Sequence, residues 1–228
     1  MILLHEIIRT VPGQEELYMA SVLSLSQRPG RDATGYNHRH VGQFRTAETS
    51  GPWPAVVNLW DYGWQSLAAA LARQFGDADR DTDMEDWWNR SLHLRRGGFD
   101  RILVPGASSS DPAGLAAAGV RGRVFLHEIL WLPLGAVPGY LAALEERFLP
   151  LARRFHWQLV GAWRVAMRPR QAVVLFAFRE WADLARLLEA RESDPGLRAW
   201  FDYRDRLVQD LEELVLLPGR MNPLGIRD

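Results

Sequence analysis

The stretch Leu4-His5-Glu6-Ile7 returns later in the chain as Leu126-His127-Glu128-Ile129. The two stretches are 122 residues apart, since 127 − 5 = 122, and Tyr18 returns at the same spacing as Tyr140. A repeat of roughly a hundred residues is too long for a solenoid unit and has the length of one small domain. We therefore predict a tandem duplication of a single domain.

The repetition continues along the chain at slightly shorter spacings. Val41–Arg45 returns as Val160–Arg164 at a spacing of 160 − 41 = 119, and Ala55–Val57 returns as Ala172–Val174 at 172 − 55 = 117. The shrinking spacing indicates that the copies differ by short loop insertions. We divide the chain into a first repeat at 1–106, a linker at 107–122, a second repeat at 123–219 and a loosely ordered tail at 220–228.

Each copy has the pattern strand, helix, strand, strand, helix, strand, with an extra helix before the last strand. In the first copy the pattern runs from a strand at Ile2–Arg9 to a last strand at Ile102–Val104. This order is that of the ferredoxin-like βαββαβ unit, whose sheet has one face covered by helices and one bare face. We predict an α+β fold in which two fused ferredoxin-like repeats pack their antiparallel sheets against each other and bury both bare faces.

Composition excludes several classes of function. The 228 residues carry a net charge of −1 with no basic stripe, so we expect no nucleic-acid partner. No apolar run approaches the ~18 residues of a membrane span, so we expect no membrane partner and a cytoplasmic location. The chain has no cysteine and no lysine, which excludes a disulfide framework, a thiolate nucleophile and a Schiff-base lysine.

Three stretches resemble the NIPSNAP proteins, namely Val56–Tyr62 followed by Leu67, Val160–Arg164, and Ser193–Phe201. The resemblance covers most of both repeats and is strongest over Leu149–Phe201. NIPSNAP-like proteins belong to the dimeric α+β barrel superfamily, so the resemblance implies a barrel that is formed here by one chain. That superfamily includes cofactor-independent monooxygenases, polyketide cyclases, haem-dependent enzymes and ligand binders, so the fold alone does not select a function.

The two first-strand histidines are the candidate catalytic residues. On a strand, His5 shares a face with Leu3 and Ile7, so the imidazole is expected in a partly dry place where its pKa can shift. The placement is similar to that of polyketide cyclases of the superfamily, which hold a first-strand histidine in the cavity between sheet and helices. His127 or His5 would then act as a general acid or base. The alternative is a pair of structural histidines that the duplication has placed at matching positions.

Aromatic and polar residues near these histidines are the candidate ligand-binding residues. In the second copy Trp131 and Trp163 stand where the first copy has Arg9 and Phe44, which predicts a flat aromatic wall for a planar ligand. Trp60 and Asn58 are not duplicated and are candidates for a pocket in the first copy. The predicted ligand-binding residues are Trp131, Trp163, Phe44, Trp60, Asn58, Tyr18, Tyr140, Arg45 and Arg164.

Glu6 and Glu128 recur in both copies, as do Arg45 and Arg164. One interpretation is a structural Glu–Arg pair in each repeat, which would compensate two partly buried charges. The other is an arginine that anchors a carboxylate or enolate beside a glutamate base.

Two stretches faintly match metal sites, and we expect no metal at either. His38-Arg39-His40 places two imidazoles on one strand face but offers no third ligand nearby in the sequence. The alternating aspartates of Asp77–Asp83 lack the glycine and glutamate that a calcium loop requires.

We hypothesise a cofactor-independent cyclase, isomerase or monooxygenase that acts on a hydrophobic small molecule, aromatic or polyketide-like, in a tryptophan-lined cavity. The second hypothesis is a non-catalytic protein of the NIPSNAP type that binds a small molecule or a partner. The third is a haem-dependent enzyme with one axial histidine. Pairing of two duplicated chains into a homodimer is compatible with each hypothesis.

Overall fold

The computed structural model describes residues 1–26, 39–48, 50–76 and 82–226. The strands of the first repeat are β1 (Leu3–Thr10), β2 (Arg39–Thr46), β3 (Ala55–Asp61) and β4 (Arg95–Pro105), and its helices are α1 (Glu15–Ser26), α2 (Gly63–Phe75) and α3 (Thr82–Arg90). A short helix, α4 (Pro112–Ala117), lies between the repeats. The second repeat has strands β5 (Val124–Trp131), β6 (Gln158–Val165), β7 (Gln171–Phe178) and β8 (Asp210–Pro218), and helices α5 (Val137–Ala143), α6 (Leu149–Arg154), α7 (Trp181–Ser193) and α8 (Pro195–Leu207).

The eight strands close into one antiparallel barrel in the order β1-β3-β2-β8-β5-β7-β6-β4. Within each repeat the order is that of a ferredoxin-like sheet, with β4-β1-β3-β2 in the first and β8-β5-β7-β6 in the second. The repeats join at two seams, β2 with β8 and β4 with β6, and each seam has three residue pairs. The predicted α+β fold of two fused ferredoxin-like repeats is therefore confirmed, and the joined edges leave no open sheet edge.

The barrel separates the hydrophobic residues into three cores. The interior core contains the sheet faces that no helix covers, and there the rings of Phe44 and Phe125 lie 4.8 Å apart. The other two cores lie outside the barrel, between the sheet and the helices of each repeat. We call the first, around Tyr18 and Trp60, the repeat-one space, and the second, around Tyr140, the repeat-two space.

The second strand of each repeat carries a bulge at a glycine, which supports the duplication at the level of structure. A Cβ atom on Gly42 would lie 2.7 Å from the ring of Phe44, and one on Gly161 would overlap the ring of Trp163. Each glycine therefore makes room for the aromatic ring two residues later that fills the barrel interior.

Two expectations about the chain were wrong in extent. The strand β4 covers 11 residues, Arg95–Pro105, rather than Ile102–Val104, because Gly98 packs so closely on Ile8 that a side chain would not fit. The end of the chain is packed as far as Ile226, since Asn222 and Leu224 are buried. Among the described residues no helix is long and apolar enough to cross a membrane.

Candidate functional site

His5 and His127 lie inside the barrel, where their Nε2 atoms are 2.9 Å apart. The rings are stacked at an interplanar angle of 10°, and both residues are buried. Burial lowers the pKa of His127 to about 3. The pKa of His5 lies well below its usual value, mainly because of burial and to a smaller extent because of His127. Both rings are therefore neutral, so one Nε2 donates the hydrogen bond and the other accepts it.

This position differs from the one we expected. The resemblance to polyketide cyclases implied a first-strand histidine between sheet and helices, whereas both histidines point into the barrel interior. The predicted aromatic wall follows them, because Trp163 is a fully buried member of the interior core and Trp131 packs against its edge. Phe44 lies in the same core.

The opposite face of β1 carries Glu6 into the repeat-one space. Glu6 Oε2 accepts hydrogen bonds from Trp60 Nε1 at 2.8 Å and from Asn58 Nδ2 at 3.1 Å. Gln43 Nε2 donates to Asn58 Oδ1 at 3.2 Å, which turns the amide nitrogen of Asn58 toward Glu6. The structure thus brings two predicted ligand-binding residues, Asn58 and Trp60, onto one carboxylate.

Glu6 has the protonation behaviour of an acid–base group. Burial raises the pKa of Glu6 to about 7, and the neighbouring carboxylate of Asp100 adds to the rise. Asp100 stands opposite Glu6 in the β1–β4 register, and burial raises its pKa as well. Tyr18 lies close by, and burial together with the charge of Glu6 raises the pKa of its hydroxyl, which stays protonated at neutral pH. A carboxyl group with a pKa near 7 can both take up and release a proton under physiological conditions.

The repeat-two space repeats the carboxylate pair but closes it with an arginine. Glu213 stands opposite Glu128 in the β5–β8 register, and Arg204 Nη1 donates to Glu128 Oε1 at 2.8 Å and to Glu213 Oε1 at 2.9 Å. Burial raises the pKa of Glu128, and Arg204 counteracts that rise. Burial acts to lower the pKa of Arg204, but the two carboxylates hold that pKa above its usual range. Tyr140 lies beside this cluster, and burial raises the pKa of its hydroxyl.

The proposed pairing of Glu6 with Arg45 and of Glu128 with Arg164 is wrong. Arg164 is exposed and Arg45 is partly exposed, and the arginine that binds Glu128 is Arg204. Neither Arg45 nor Arg164 hydrogen-bonds a glutamate within the described part of the chain, so both lie apart from the two carboxylate clusters.

The structure also corrects the alignment of the third strands by one residue. Glu6 stands opposite Asn58, and Glu128 stands opposite Val174, so Asn58 matches Val174 rather than Leu175. By the same register Trp60 matches Phe176 rather than Ala177. Because neighbouring strand residues point to opposite faces, the shift exchanges two residues of the barrel interior for Val174 and Phe176, which lie in the repeat-two space and are also apolar. The second repeat therefore lacks the donors that hold Glu6.

A cavity of about 410 Å³ opens beside the repeat-one space. Asp100 lines it, as does Leu4, whose next neighbour on the same face of β1 is Glu6. Most of the other lining residues are apolar and come from α2, from β4 and from the β6–β7 turn of the second repeat: Ile2, Leu3, Tyr62, Leu67, Leu71, Arg101, Ile102, Val165, Ala166, Met167 and Arg168. Asp100 is therefore the member of the first-repeat carboxylate pair that lines the cavity.

The histidines do not fit the axial ligand of a haem. The ring nitrogens of His5 and His127 that face each other are hydrogen-bonded, and neither residue lines the 410 Å³ cavity. His40 borders a cavity of about 50 Å³, which is too small for a macrocycle. Among the described residues no group of three His, Cys, Asp or Glu could hold a metal ion. His38 and the stretch 77–81 lie outside the described residues.

Three residues of the two carboxylate clusters escaped the sequence analysis. Asp100 was placed outside the short strand predicted for β4, so its pairing with Glu6 was not visible. Arg204 could have been found from the duplication, since Trp200 matches Trp87 at 200 − 87 = 113 and Ser91 then stands in its place at 204 − 113 = 91. Gln43 differs from Ala162 within a stretch in which the only other difference is Phe44 against Trp163, which was a usable signal.

Comparison with solved structures agrees with this architecture. A "putative monooxygenase" from Lactobacillus acidophilus superposes with a TM-score of 0.60 over 95% of this chain and 93% of its own, at 8% identity. A second "putative monooxygenase", from Fusobacterium nucleatum, gives a TM-score of 0.58 over 99% and 95%, also at 8% identity. A NIPSNAP family protein from Agrobacterium tumefaciens is 23% identical and covers 46% of this chain and 95% of its own, with a TM-score of 0.40. No protein-family model matches the sequence, and no curated protein matches it significantly.

The fold is a dimeric α+β barrel built from one chain. At 8% identity the two full-length neighbours bear on the fold and not on the chemistry. The carboxylate clusters and the cavity must therefore carry any argument about function.

Proposed function

We propose that this protein is a cofactor-independent enzyme that moves a proton on a hydrophobic small molecule, with Glu6 as the acid–base residue and Asp100 beside it. The observation that carries the proposal is the asymmetry of the two carboxylate pairs. In the second repeat Arg204 binds both carboxylates, whereas in the first repeat no arginine hydrogen-bonds Glu6 among the described residues. The charges of Arg95 and Arg101 act on this first pair without a hydrogen bond to either carboxylate among the described residues, and the pair lies next to a mostly apolar cavity.

The reaction class follows from the protonation of Glu6. When ionised, Glu6 takes a proton from a carbon next to a carbonyl group; the C–H bond breaks and its electron pair forms an enolate. Trp60 and Asn58 both bind Oε2, so Oε1 remains for the proton. Return of the proton to a different carbon gives an isomer, and attack of the enolate on a second carbonyl gives a cyclised product. Both outcomes are redox-neutral, whereas a monooxygenase reaction would need O₂ as a second substrate.

This assignment moves the acid–base role away from the histidines. His5 and His127 use their facing nitrogens for each other, and the low pKa of each opposes protonation at neutral pH. We therefore assign the pair a structural role at the centre of the barrel.

Deuterium uptake tests the proposal. The purified protein is incubated in D₂O with the apolar ketone 2-tetralone, with its isomer 1-tetralone and with 2-indanone, and deuterium at the α-carbon is measured by NMR. We expect Glu6→Gln to lower the protein-dependent exchange by about a hundredfold or more, the effect usual for loss of a general base. Glu128→Gln changes the matching residue of the second repeat and should leave the exchange unchanged. Exchange that Glu6→Gln does not reduce, or no exchange with any of the three ketones, would contradict the role of Glu6.

A binding protein without catalysis is the second candidate, favoured by the mostly apolar lining of the cavity. It predicts that a native mass spectrum of the protein from its own host shows a retained apolar molecule, which is released unchanged after incubation. Consumption of O₂ in the presence of that molecule would instead support a monooxygenase.

A further inference from the structure

The cavity beside the repeat-one space lies at the seam between the two repeats, between β4 and the β6–β7 turn. The strand β4 pairs with β6 at Leu103–Pro105, and Ala166 N in the β6–β7 turn donates to Ile102 O at 2.8 Å. No ladder pairing with β6 is found for Arg95–Arg101 within the described part of the chain. Arg101 on β4 and Arg168 in the turn both line the cavity, one from each side of this gap. The two repeats thus contribute one cation each to the same cavity.

Both guanidinium groups lie over the ring of Phe99. The Cζ atom of Arg101 lies 4.4 Å from the centroid of the Phe99 ring, and that of Arg168 lies 4.3 Å from the same centroid. Burial lowers the pKa of Arg101 to about 10, and the charge of Arg168 lowers it further toward that value. The two charges act on each other and both residues line the cavity, so an anion bound in the cavity would offset both charges.

Arg101 is poorly satisfied by the protein itself. The residue is 7% exposed, and its Nε donates to Gln171 Oε1 at a long distance of 3.4 Å. Its Nη1 is buried and has no hydrogen-bond partner among the described residues. Buried donors are nearly always paired, so such a group indicates a missing acceptor.

Acidic residues near Arg101 do not supply that acceptor. Asp100 and Glu212 act to raise the pKa of Arg101, yet neither forms an ion pair with it within the described part of the chain. Asp100 directly precedes Arg101 on the strand, and its side chain lies on the opposite face, beside Glu6. Among the described residues no carboxylate forms an ion pair with Arg101, so an acceptor for its Nη1 is missing.

The rim of the cavity carries a second sign of a ligand. Met167 lies in the β6–β7 turn with φ at 61° and is 86% exposed, although residues with a side chain rarely adopt this conformation. A large apolar side chain that is held in a strained turn at a cavity edge is suited to cover an apolar ligand.

We propose that the cavity binds an apolar carboxylate, with its anionic group at Arg101 and Arg168 and its apolar body against Leu4, Leu71 and Ile102. The proposal rests on the proposed function, for which it names the substrate class: a hydrophobic acid with a carbonyl group and an acidic C–H bond. The arginines orient the acid, and Asp100, the partner of Glu6 in the carboxylate pair, lines the same cavity.

Titration calorimetry with two probes of the same shape tests the proposal. 2-Naphthoate carries the carboxylate, and 2-naphthamide is its neutral counterpart. We expect the wild-type protein to bind the naphthoate at least about tenfold more tightly, the usual effect of one charge-assisted hydrogen-bonded pair. Arg168→Gln, on the exposed turn, should remove most of this preference while naphthamide binding stays the same, and Arg168→Lys should retain part of it. Arg153→Gln, an exposed arginine on α6, should change neither affinity.

Equal affinity for the two probes, no binding of either, or a preference that Arg168→Gln leaves intact would overturn the proposal. An equal loss for both probes would also overturn it, because it would show that Arg168 contributes packing and not charge. Glu6→Gln separates this proposal from the proposed function, since it should lower deuterium exchange by about a hundredfold while the carboxylate preference still depends on Arg168. If the carboxylate preference depends on Arg168 but exchange does not depend on Glu6, the proposed function fails and the binding site stands.

Discussion

The two repeats start from the same carboxylate pair and end in different chemistry. Glu6 and Asp100 face each other in the first repeat as Glu128 and Glu213 do in the second. Arg204 neutralises the second pair, whereas the first repeat has Ser91 at that position. Asp100 is exposed and Glu6 is partly buried, and the charge of Arg95 acts on Glu6 without a hydrogen bond to it among the described residues. A carboxyl group whose pKa is raised to about 7 beside a cavity is a candidate for a functional site.

The loops that lie over the two seams also differ between the repeats. Ala47 N donates to Val215 O at 2.8 Å at one seam, and Ala166 N donates to Ile102 O at 2.8 Å at the other. The first-repeat hairpin then brings Ser50 Oγ onto the backbone of Val215, which covers that seam. At the other seam, the β6–β7 turn does not cover the gap, and the cavity opens beside Met167. In the repeat-two space Arg204 binds both carboxylates, and the first-repeat hairpin covers the neighbouring seam. The repeat-one space instead adjoins the cavity.

The largest expected effect comes from removing the ion pair of the second repeat. Arg204→Met should lower the free energy of unfolding by about 3–5 kcal/mol, because it leaves Glu128 buried without a cation. Urea denaturation at pH 7 measures the change. Ser91→Ala, at the matching position of the first repeat, should cost less than about 1 kcal/mol.

Adding Glu128→Gln and Glu213→Gln to Arg204→Met should recover most of the lost stability, since the uncompensated charges are then gone. A loss below about 1 kcal/mol for Arg204→Met alone would show that the second pair is not closed by charge compensation, and the contrast between the repeats would fail.

The histidine pair belongs to both repeats and predicts a pH dependence. The pKa of His127 falls from its ordinary 6.5 to about 3 in the fold, so the unfolded chain binds more protons between these values and stability falls as the pH falls. Glu6 and Glu128, whose pKa values are both raised from 4.5 to about 7, act in the opposite direction between those two values and offset the two histidines there. The steep loss should therefore begin below pH 4.5, at about 1.4 kcal/mol per pH unit for each histidine.

Thermal unfolding followed between pH 3 and 8 measures this dependence. The double variant His5→Gln and His127→Gln keeps a neutral hydrogen-bonding pair and should have a shallower acid limb. If the acid limb is the same as in the wild-type protein, the histidines are not buried as a neutral pair.

Glutamine at the two first-strand glutamates should act with opposite signs. At pH 8 Glu6 is ionised at a cost, so Glu6→Gln should stabilise the protein by about 1 kcal/mol. Glu128→Gln removes a partner of Arg204 and should destabilise it by about 1–3 kcal/mol. Urea denaturation of both variants at pH 8 provides the test.

At pH 5 the gain from Glu6→Gln should disappear, because Glu6 is then protonated in the fold. Destabilisation of similar size by both substitutions would mean that both carboxylates are structural, and the asymmetry between the repeats would not indicate a site.

The smallest effect is expected at the cavity rim. Met167→Gly should raise the free energy of unfolding by up to about 1 kcal/mol, because glycine adopts a positive φ without strain. Leu134→Gly, at another exposed apolar residue, should give no such gain. Differential scanning calorimetry compares the two variants, and a loss of stability in Met167→Gly would remove the argument that the turn is strained.

Much of the architecture was predictable from the sequence because duplication repeats local patterns. The first-strand motif, the bulged glycines at Gly42 and Gly161 and the order of strands and helices each appear twice, so each copy supports the interpretation of the other. The same comparison could have revealed Gln43 and Ser91, since both break the repeat.

The site depended on information that the sequence does not contain. Alternation along β1 separates His5 from Glu6 onto two faces, yet it cannot say which face lies in the barrel and which lies under the helices. A shift of one residue in the third-strand alignment also moved Asn58 and Trp60 to the wrong counterparts. The sequence by itself determined the duplicated ferredoxin-like units and their strand order, because these follow from local periodicity. Only the tertiary structure decided that His5 meets His127 in the interior and that Asp100 meets Glu6 outside it, because both contacts join strands that are distant in the chain and paired only by barrel closure and register.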